Sequence, residues 1–436
     1  MPAGRRRFFL GMHDTREHTN SYYAATRERI EFPVLRGEQR ADIVIVGGGF
    51  TGVSAALYLQ ERGYKVALLE ANRIGWGASG RNGGQLIDGF VNEDKIEKRF
   101  GSDAGEMAYR MGLESREIVV ERVERYAIDC NLKFGFLDLA LKQSDVDDFE
   151  AQVAQKRRKN YPHTVELIEK SRMPEFVGSD KYVGGLVNAG NGHLHPLNLC
   201  IGEVRAAAQQ GAQVFEQSRV TKIRHGAKPR VDTSIGSIRA DKIILAGNAY
   251  LGDAEPRLRS SIIPAGSYII ATEALPRELA NELLPKDSAC CDQRVALDYF
   301  RLSADNRLLF GGLCNYSGRK PKDISAVLQP KMISVFPQLE DVRIDYEWGG
   351  YIAISINRIP QFGRIEGNTY FAQGYSGHGV APTHLAGKML ADVVCGDSEQ
   401  FDVFARVRHL KLPGGRWFAN PALALGMMYY RIREVL

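Results

Sequence analysis

The sequence contains little cysteine, and no cysteine pattern typical of a metal site or a disulfide framework. Its 436 residues include six cysteines and no Cys-x-x-Cys pair, the spacing that marks many zinc and redox motifs. Cys290 and Cys291 are adjacent and poorly placed to bind one metal together. We therefore expect no metal site and a reduced, cytoplasmic location.

Long hydrophobic runs are also missing. No stretch reaches the roughly 18 apolar residues of a transmembrane helix, and the apolar segment 422–430 is short enough to pack on the protein. Residues 5–10 resemble a twin-arginine export motif, but polar and charged residues follow where an apolar region belongs. We expect residues 1–35 to form a cytoplasmic extension, 399–436 to form a tail, and the protein to have no stable membrane span.

The chain has no large excess of one charge. Its net charge of +5 is spread along the sequence, so no nucleic-acid partner is predicted. The densest basic run away from the N-terminus, Lys156–Lys159, is interpreted as a solvated helix face. With 44% hydrophobic and 25% charged residues, the composition is that of an ordinary enzyme, and the length predicts two domains.

The sequence does contain a glycine-rich turn between a strand and a helix. The apolar strand 42–46 precedes Gly47, Gly49 and Gly52, and the next strand ends at Glu70. In this pattern the first glycine permits a tight turn, the second lets the backbone approach a pyrophosphate, and the third lets helix and strand pack closely. The later carboxylate accepts hydrogen bonds from a ribose. The pattern predicts a dinucleotide site and leaves NAD and FAD open.

Further along, the chain returns to this first domain twice, which favours a flavin over a nicotinamide domain. A strand at 242–248 and a strand at 369–373 both end in small-residue turns, the second of them before a helix at 382–394. Residues 103–172 are predicted to be largely helical, and 264–358 to form an antiparallel sheet. The predicted fold class is α/β with an α+β second domain: a Rossmann-like FAD-binding domain interleaved with an antiparallel-sheet substrate domain. The FAD-binding domain is assigned residues 36–88, 190–254 and 360–398, and the substrate domain 89–189 and 255–359.

Four sequence blocks in order resemble the FAD-dependent amine oxidoreductases of the D-amino-acid oxidase and glycine/sarcosine oxidase superfamily. The blocks are 70–85, 192–199, 246–252 and 373–380, and the match is closer to the bacterial γ-glutamylputrescine oxidases. The resemblance implies a second helix N-terminus near the flavin, which favours its reduction. The implied FAD contacts are Gly47, Gly49, Phe50, Thr51, Gly52, Glu70, Ala71, Arg73, Gly77, Ala78, Ser79, Asn82, Gly83, Gly84, Gln85, Val220, Gly247, Gly377, His378, Gly379 and Val380.

The resemblance also implies amine oxidation, with hydride transfer to the flavin and release of an aldehyde, ammonia and hydrogen peroxide. The implied substrate is a γ-glutamyl amine, γ-glutamylputrescine first, whose carboxylate suits an arginine fork. His195 or His193 is expected to cap a helix. The catalytic and substrate-binding candidates are His193, Tyr299, Arg301, Trp348, Arg358 and His378, with Tyr316 and Tyr351 as further channel walls.

The sequence lacks two residues that the similar enzymes have, and their absence leaves alternatives open. Strand 349–357 lacks the cysteine that attaches flavin in monomeric sarcosine oxidases, so FAD is expected to be non-covalent. Strand 307–312 lacks their oxygen-activating lysine. The electron acceptor is therefore molecular oxygen or another acceptor. The alternatives are a D-amino-acid or secondary-amine dehydrogenase that passes electrons to a quinone, and a flavoprotein that acts as a redox-responsive binding partner.

Overall fold

The computed structural model describes residues 16–294, 297–315 and 321–410, with only the backbone of residue 313. The segments 5–10 and 422–430 and the candidate Tyr316 lie outside the described residues. In chain order the strands are β1 (Gly37–Arg40), β2 (Ile43–Val46), β3 (Val66–Leu69), β4 (Gln85–Leu86), β5 (Lys133–Ala140), β6 (Val165–Glu169), β7 (Gly184–His193), β8 (Gln213–Phe215), β9 (Lys222–Arg224), β10 (Arg230–Asp232), β11 (Gly236–Arg239), β12 (Lys242–Leu245), β13 (Ile263–Thr272), β14 (Ala289–Asp292), β15 (Tyr299–Leu302), β16 (Leu308–Asn315), β17 (Ile344–Ile354), β18 (Gln361–Ile365) and β19 (Thr369–Gln373). The α-helices are α1 (Tyr22–Thr26), α2 (Phe50–Glu61), α3 (Glu93–Phe100), α4 (Ser102–Arg125), α5 (Gln143–Arg158), α6 (Pro196–Gln209), α7 (Arg277–Leu283), α8 (Ser325–Val335), α9 (Val380–Cys395) and α10 (Glu399–Ala405).

A mostly parallel sheet of six strands carries the glycine-rich turn. Its order is β18-β19-β12-β2-β3-β8, and every neighbouring pair is parallel except β18 and β19. All residues of β2, β3 and β19 are buried, because a parallel sheet is covered on both faces. The strands come from three separate stretches of sequence. The predicted α/β fold class is confirmed.

Helices α2, α4, α6 and α9 pack with this sheet in one apolar core. Met111, Ile118 and Val119 of α4 share a buried cluster with Ile45 of β2 and Leu385 of α9. Helices α3 and α4 therefore pack with the parallel sheet, although the sequence assigns residues 89–189 to the substrate domain. The domain boundaries themselves remain a prediction.

A second sheet of nine strands has the order β17-β13-β16-β15-β14-β5-β7-β4, with β6 added to β7. Its pairs are antiparallel except β14 with β5. The prediction that 103–172 is largely helical is wrong for β5 and β6, because pairing with β7 and β14 decides their conformation. One face of the sheet packs against α7 and α8 around Leu137, Phe300 and Phe310. On the other face Leu309 and Trp348 pack against α6, which joins the two sheets.

Local signals place the helix ends that matter for the site. Helix α6 starts at Pro196 after His195, whose Nδ1 accepts a hydrogen bond from the backbone N–H of Asn198 at 3.1 Å. Helix α9 ends at Gly396, which has a left-handed φ of +103°, as is usual just past a helix C-terminus. A third, small sheet has the order β1-β11-β10-β9, in which β10 and β11 pair antiparallel. Over the described residues, no helix is long and apolar enough to cross a membrane.

Candidate functional site

The turn between β2 and α2 leaves no space for side chains at two of its glycines. Gly47 has a φ of +117°, and a Cβ there would lie 2.8 Å from the backbone of Ala246 and 2.9 Å from the nitrogen of Gly247. A Cβ at Gly52 would collide with the carbonyl oxygen of Gly47. The tight turn and the close helix–strand packing expected of these residues follow from those contacts.

Glu70 ends β3 beside the same turn. Its carboxylate accepts hydrogen bonds from the backbone N–H of Gly48 at 2.8 Å and of Asn72 at 2.9 Å. Burial raises the pKa of this carboxyl, and the two N–H groups act in the opposite direction. Each carboxylate oxygen keeps a second lone pair, so Glu70 can still accept hydrogen bonds from a ribose. Ala71 follows it, and Val220 lies half-buried against the core beneath β2 and β3.

Residues 77–85 form a compact loop against the N-terminus of α2. The Ser79 hydroxyl accepts a hydrogen bond from the backbone N–H of Phe50 at 2.9 Å. The Asn82 amide donates to the carbonyls of Ala78 and Ser79 and accepts from the N–H of Gly84 at 2.7 Å. Asn82 therefore holds the loop closed from within. We call residues 77–85 the glycine cradle.

Small residues in the cradle lie directly under aromatic side chains. A Cβ at Gly83 would be 2.6 Å from the Tyr299 ring, and a Cβ at Gly77 would be 3.1 Å from Tyr250. A Cβ at Gly49 would be 2.8 Å from the Ser79 hydroxyl. Bulkier residues in this region would fill the space between the two sheets.

A third loop, residues 374–379, leads into α9 and meets the first turn of α2. The hydroxyls of Thr51 and Tyr375 hydrogen-bond at 2.8 Å. Gly377 has a φ of +95°, and Gly379 is the N-cap of α9, whose first residue is Val380. His378 Nε2 lies 3.2 Å from the carbonyl oxygen of Gly89. Burial lowers the pKa of His378, so this imidazole is neutral near pH 7 and donates from Nε2.

These three loops fit an FAD molecule. Both α2 and α9 have a glycine as N-cap and no acidic residue in the first turn, and among the described residues only the Phe50 N–H of α2 is bonded to a side chain, that of Ser79. Two open helix N-termini offer N–H donors and positive dipole ends to an anion. The cradle lies against the first of these N-termini through Ser79 and Phe50, so its backbone is next to the predicted pyrophosphate position.

The contacts of Arg301 favour a structural role over the predicted substrate-binding one. Its side chain is buried and every donor is used within the protein. Nε donates to the carbonyl of Gly83 at 2.7 Å, one terminal nitrogen donates to Leu194 and Tyr23, and the other donates to the carbonyl of Leu302 and faces His193. A guanidinium with five protein acceptors has no fork left for a carboxylate. Arg301 is instead a positioning residue for the cradle.

His193 is likewise committed to the protein. It is fully buried, its Nε2 lies 2.8 Å from the carbonyl oxygen of Asp287, and its Nδ1 faces Arg301 at 3.5 Å. Burial and then the Arg301 charge lower its pKa to about 3, so it stays neutral. These contacts favour a structural role for His193 over a direct catalytic one. The expected helix cap is the other histidine, His195.

Trp348 is a core residue rather than a channel wall. It is 1% exposed, and its indole N–H donates to the carbonyl of Arg81 at 3.1 Å. Its ring packs edge-on against Tyr23 at 5.3 Å between centroids. Trp348 therefore braces the cradle through Arg81.

Arg73 also differs from its predicted role as an FAD contact. Its guanidinium forms ion pairs with Glu17 and with the buried Glu216, each at 2.9 Å. Glu216 in turn accepts a hydrogen bond from the backbone N–H of Ile74 at 2.8 Å. The carboxylates compete with a phosphate for Arg73, so its role is to fix the segment after Glu70.

Tyr299, Tyr351 and Arg358 are the remaining substrate-side candidates. Tyr299 lies over Gly83, and burial raises the pKa of its hydroxyl. Tyr351 is half-buried on β17, where its backbone N–H donates to the Tyr250 hydroxyl at 2.7 Å. Arg358 is exposed in the turn after β17 with a φ of +61°. Gln85, at the end of the cradle, donates to the carbonyl of Cys290 at 3.1 Å.

Sequence reasoning missed a buried charged cluster behind the two helix N-termini. Glu203 of α6 lies 3.0 Å from Arg122 and 3.1 Å from His384 Nε2, and His384 Nδ1 lies 2.5 Å from the carbonyl oxygen of Val380. Both imidazole nitrogens of His384 therefore lie at acceptor atoms of the protein. Burial would raise the pKa of Glu203, but His384 and Arg122 together lower it. The sequence signal for this cluster was the one glutamate within the largely apolar helix α6.

No group of three or more potential metal ligands occurs among the residues that the structure describes. The Lys156–Lys159 run is not a plain solvated face, since Lys156 pairs with Asp88 at 3.2 Å and Lys159 pairs with Glu93.

Comparison with known proteins agrees with the fold and the site. Residues 42–393 match the family model described as FAD dependent oxidoreductase (DAO). The chain is 45% identical over 423 residues to gamma-glutamylputrescine oxidoreductase of Escherichia coli (strain K12), covering 96% of this chain and 99% of that protein. It is 41% identical over 427 residues to a probable oxidoreductase, OrdL, of Haemophilus influenzae, covering 96% of this chain and 98% of that one.

Solved structures show the same fold. Glycine oxidase from Geobacillus kaustophilus superposes with a TM-score of 0.70 at 23% identity, covering 85% of this chain and all of that one. With the family model matched over residues 42–393 and a relative 45% identical along nearly its whole length, this chain belongs to the FAD dependent oxidoreductase family and is an FAD-dependent flavoenzyme.

Proposed function

We propose that the protein oxidises a γ-glutamyl amine, γ-glutamylputrescine first, to an aldehyde with release of ammonia and hydrogen peroxide. The observation that carries the proposal is the 45% identity to a gamma-glutamylputrescine oxidoreductase over 96% of the chain. The three loops that meet at the N-termini of α2 and α9 support it, because they fit the cofactor that such a reaction needs.

FAD, when bound, supplies the acceptor for the hydride that leaves the amine-bearing carbon. We assign its pyrophosphate to the α2 N-terminus and Ser79, its adenosine ribose to Glu70, and its pyrimidine end to residues 377–380. Strand 349–357 has no cysteine, so FAD is held without a covalent bond. The uncapped N-terminus of α9 places positive potential where negative charge develops on reduction.

On the substrate side, Tyr299 is the side chain best placed to hold the reacting end of the amine, because it lies on the cradle at Gly83. His378 is neutral, so it offers no charge to the substrate. Its hydrogen bond to the carbonyl oxygen of Gly89 holds its own loop in place. Arg358 is the exposed guanidinium of the candidate set, but it follows β17, the edge strand of the nine-stranded sheet and three strands from Tyr299, so we assign it no contact with the substrate. The residues orient the substrate and need no strong general base.

The electron acceptor is proposed to be molecular oxygen. A specific feature favours the second candidate, a dehydrogenase with another acceptor: β16, the strand similar to the one that carries the oxygen-activating lysine, has no lysine. A cytoplasmic location is proposed as well, supported by the six free cysteines.

Anaerobic bleaching of the flavin tests the substrate. The yellow purified protein should lose its flavin absorbance on addition of γ-glutamylputrescine without oxygen, and putrescine alone should act far more slowly. Absence of bleaching with every γ-glutamyl amine tried would overturn the substrate proposal. Readmitted oxygen should give one peroxide per aldehyde; aldehyde formation that requires an added quinone would favour the dehydrogenase.

A further inference from the structure

The nine-stranded sheet places a carboxylate in line with the cradle. Asp138 of β5 pairs with Cys291 of β14, Cys291 pairs with Tyr299 of β15, and Tyr299 pairs with Gly311 of β16. Residues paired in this way stand on one face of the sheet. Since the Tyr299 ring lies on Gly83, this face is the one that looks toward the cradle.

The neighbours of Asp138 along β5 confirm its orientation. Leu137 and Leu139 belong to the core on the opposite face, together with Phe300, which follows Tyr299 in the sequence. Alternation along each strand therefore directs Asp138 and Tyr299 to the same side. Asp138 and Tyr299 are on strands two positions apart in the sheet, which corresponds to about 10 Å.

Asp138 is poorly compensated for a half-buried carboxylate. Gln293 donates a hydrogen bond to it at 3.3 Å, and within the described residues it forms no ion pair. Lys156, whose charge acts on Asp138, is paired with Asp88 at 3.2 Å and lies 3.7 Å from the centre of the Tyr161 ring. With Lys156 paired to Asp88, the ionised form of Asp138 has no counter-charge of its own. A cationic ligand would balance it.

We propose that Asp138 binds the α-ammonium group at the glutamyl end of the substrate and thereby selects γ-glutamyl amines over plain diamines and acyl diamines. The proposal rests on the proposed function. The length fits: eight bonds separate the oxidised carbon from the α-carbon of γ-glutamylputrescine, roughly 9 Å when extended at the rise of a peptide chain. A substrate with its amine at Tyr299 reaches Asp138 with its ammonium group.

The test compares two substrates that differ only in that group. N-Glutarylputrescine lacks the α-ammonium but keeps the carboxylate, and the wild-type enzyme should prefer γ-glutamylputrescine in kcat/KM by roughly ten- to a hundredfold. In Asp138→Asn the preference should fall to within about threefold, through loss of activity toward the glutamyl substrate alone. Glu166→Gln, an exposed carboxylate on β6 of the same sheet that pairs with Arg172, should keep the wild-type preference.

Binding without turnover supplies a second readout. γ-Glutamylbutylamide has no terminal amine to oxidise, and the flavin difference spectrum should give a dissociation constant that rises by the same factor in Asp138→Asn. Equal kcat/KM values for the two substrates in the wild-type enzyme, or an unchanged preference in the variant, would overturn the role of Asp138. If no γ-glutamyl amine bleaches the wild-type flavin, the proposed function fails first and the inference fails with it.

Discussion

At the residue scale, two charged side chains show opposite arrangements. Arg301 is buried, and each of its N–H donors has an acceptor in the protein, which stabilises the cradle. Asp138 is half-buried with one amide donor, and burial raises its pKa to about 7. Groups that are left under-compensated in a folded protein are often the ones that meet a ligand. A charged side chain with all of its hydrogen-bond partners in the protein positions the site, and one with few partners can bind a ligand.

The uncompensated charge of Asp138 predicts a pH-dependent gain in stability on its removal. Its folded pKa of about 7 lies above the ordinary value of 3.8, so the folded state releases this proton later than the unfolded state does. Stability therefore falls as pH rises from about 4 to 7. In urea unfolding of the ligand-free protein, Asp138→Asn should be more stable by about 2 kcal/mol at pH 8, after allowing for partial exposure. The gain should vanish near pH 4; a loss of stability at pH 8 would contradict the prediction.

The two arginine candidates are separated by a matched pair of variants. Arg301→Lys keeps the charge but cannot reach three carbonyls, so the FAD dissociation constant should rise by at least about tenfold while the substrate KM changes little. Arg358→Gln, at an exposed position after the edge strand β17, should leave both FAD binding and the substrate KM unchanged. Flavin titration of the apoprotein and steady-state kinetics measure the two effects. A raised substrate KM with unchanged FAD binding in Arg301→Lys would restore Arg301 as the carboxylate ligand.

At the element scale, helices α2 and α9 act as a pair. Ser54 donates a hydrogen bond to the carbonyl of His384 at 2.7 Å, and a Cβ at Gly387 would lie 2.5 Å from Ser54. Their first turns meet through Thr51 and Tyr375. The Arg122, Glu203 and His384 cluster ties α4, α6 and α9 together beneath these helix ends.

Removal of the central carboxylate should destabilise this pair of helices. Glu203→Gln leaves Arg122 and His384 buried without their counter-charge, and we expect a loss of about 3 kcal/mol in unfolding free energy at pH 7. Because the pKa of Glu203 lies below its ordinary value, the stabilisation is present above the unfolded pKa and is lost as pH falls through the folded one. Glu114→Gln, a half-exposed partner of Lys388, should change stability by less than about 1 kcal/mol. Equal losses in the two variants would show that the charge cluster has no special role.

At the scale of the whole molecule, sequence patterns could predict the sheet that binds FAD but not the fit between the two sheets. Glycine spacing and capping residues are local signals, so the Gly47 turn and the start of α6 could be predicted. The saturation of Arg301 depends on Tyr23 and Leu194, which lie far from it in sequence. Strand β5 could not be distinguished from a helix, because its partners β7 and β14 are distant as well.

A whole-molecule prediction concerns the cofactor bond. With no cysteine in strand 349–357, acid precipitation should release all of the flavin into the supernatant as intact FAD. Because the site is assembled only in the folded chain, added FAD should raise the unfolding free energy of apoprotein by about 2.7 kcal/mol at a concentration 100 times its dissociation constant. Yellow colour in the acid pellet would contradict the non-covalent assignment.

Because the FAD site is built from three loops that are distant in sequence, the amount of folded protein depends on the supply of FAD. The loops after β2, β3 and β19 come together only when the six-stranded sheet is complete, so FAD has no binding site on the nascent or unfolded chain. Cells short of riboflavin would therefore hold more of this chain in the form that proteases degrade. Vitamin supply would set the abundance of the enzyme after translation, without any change in the expression of its gene.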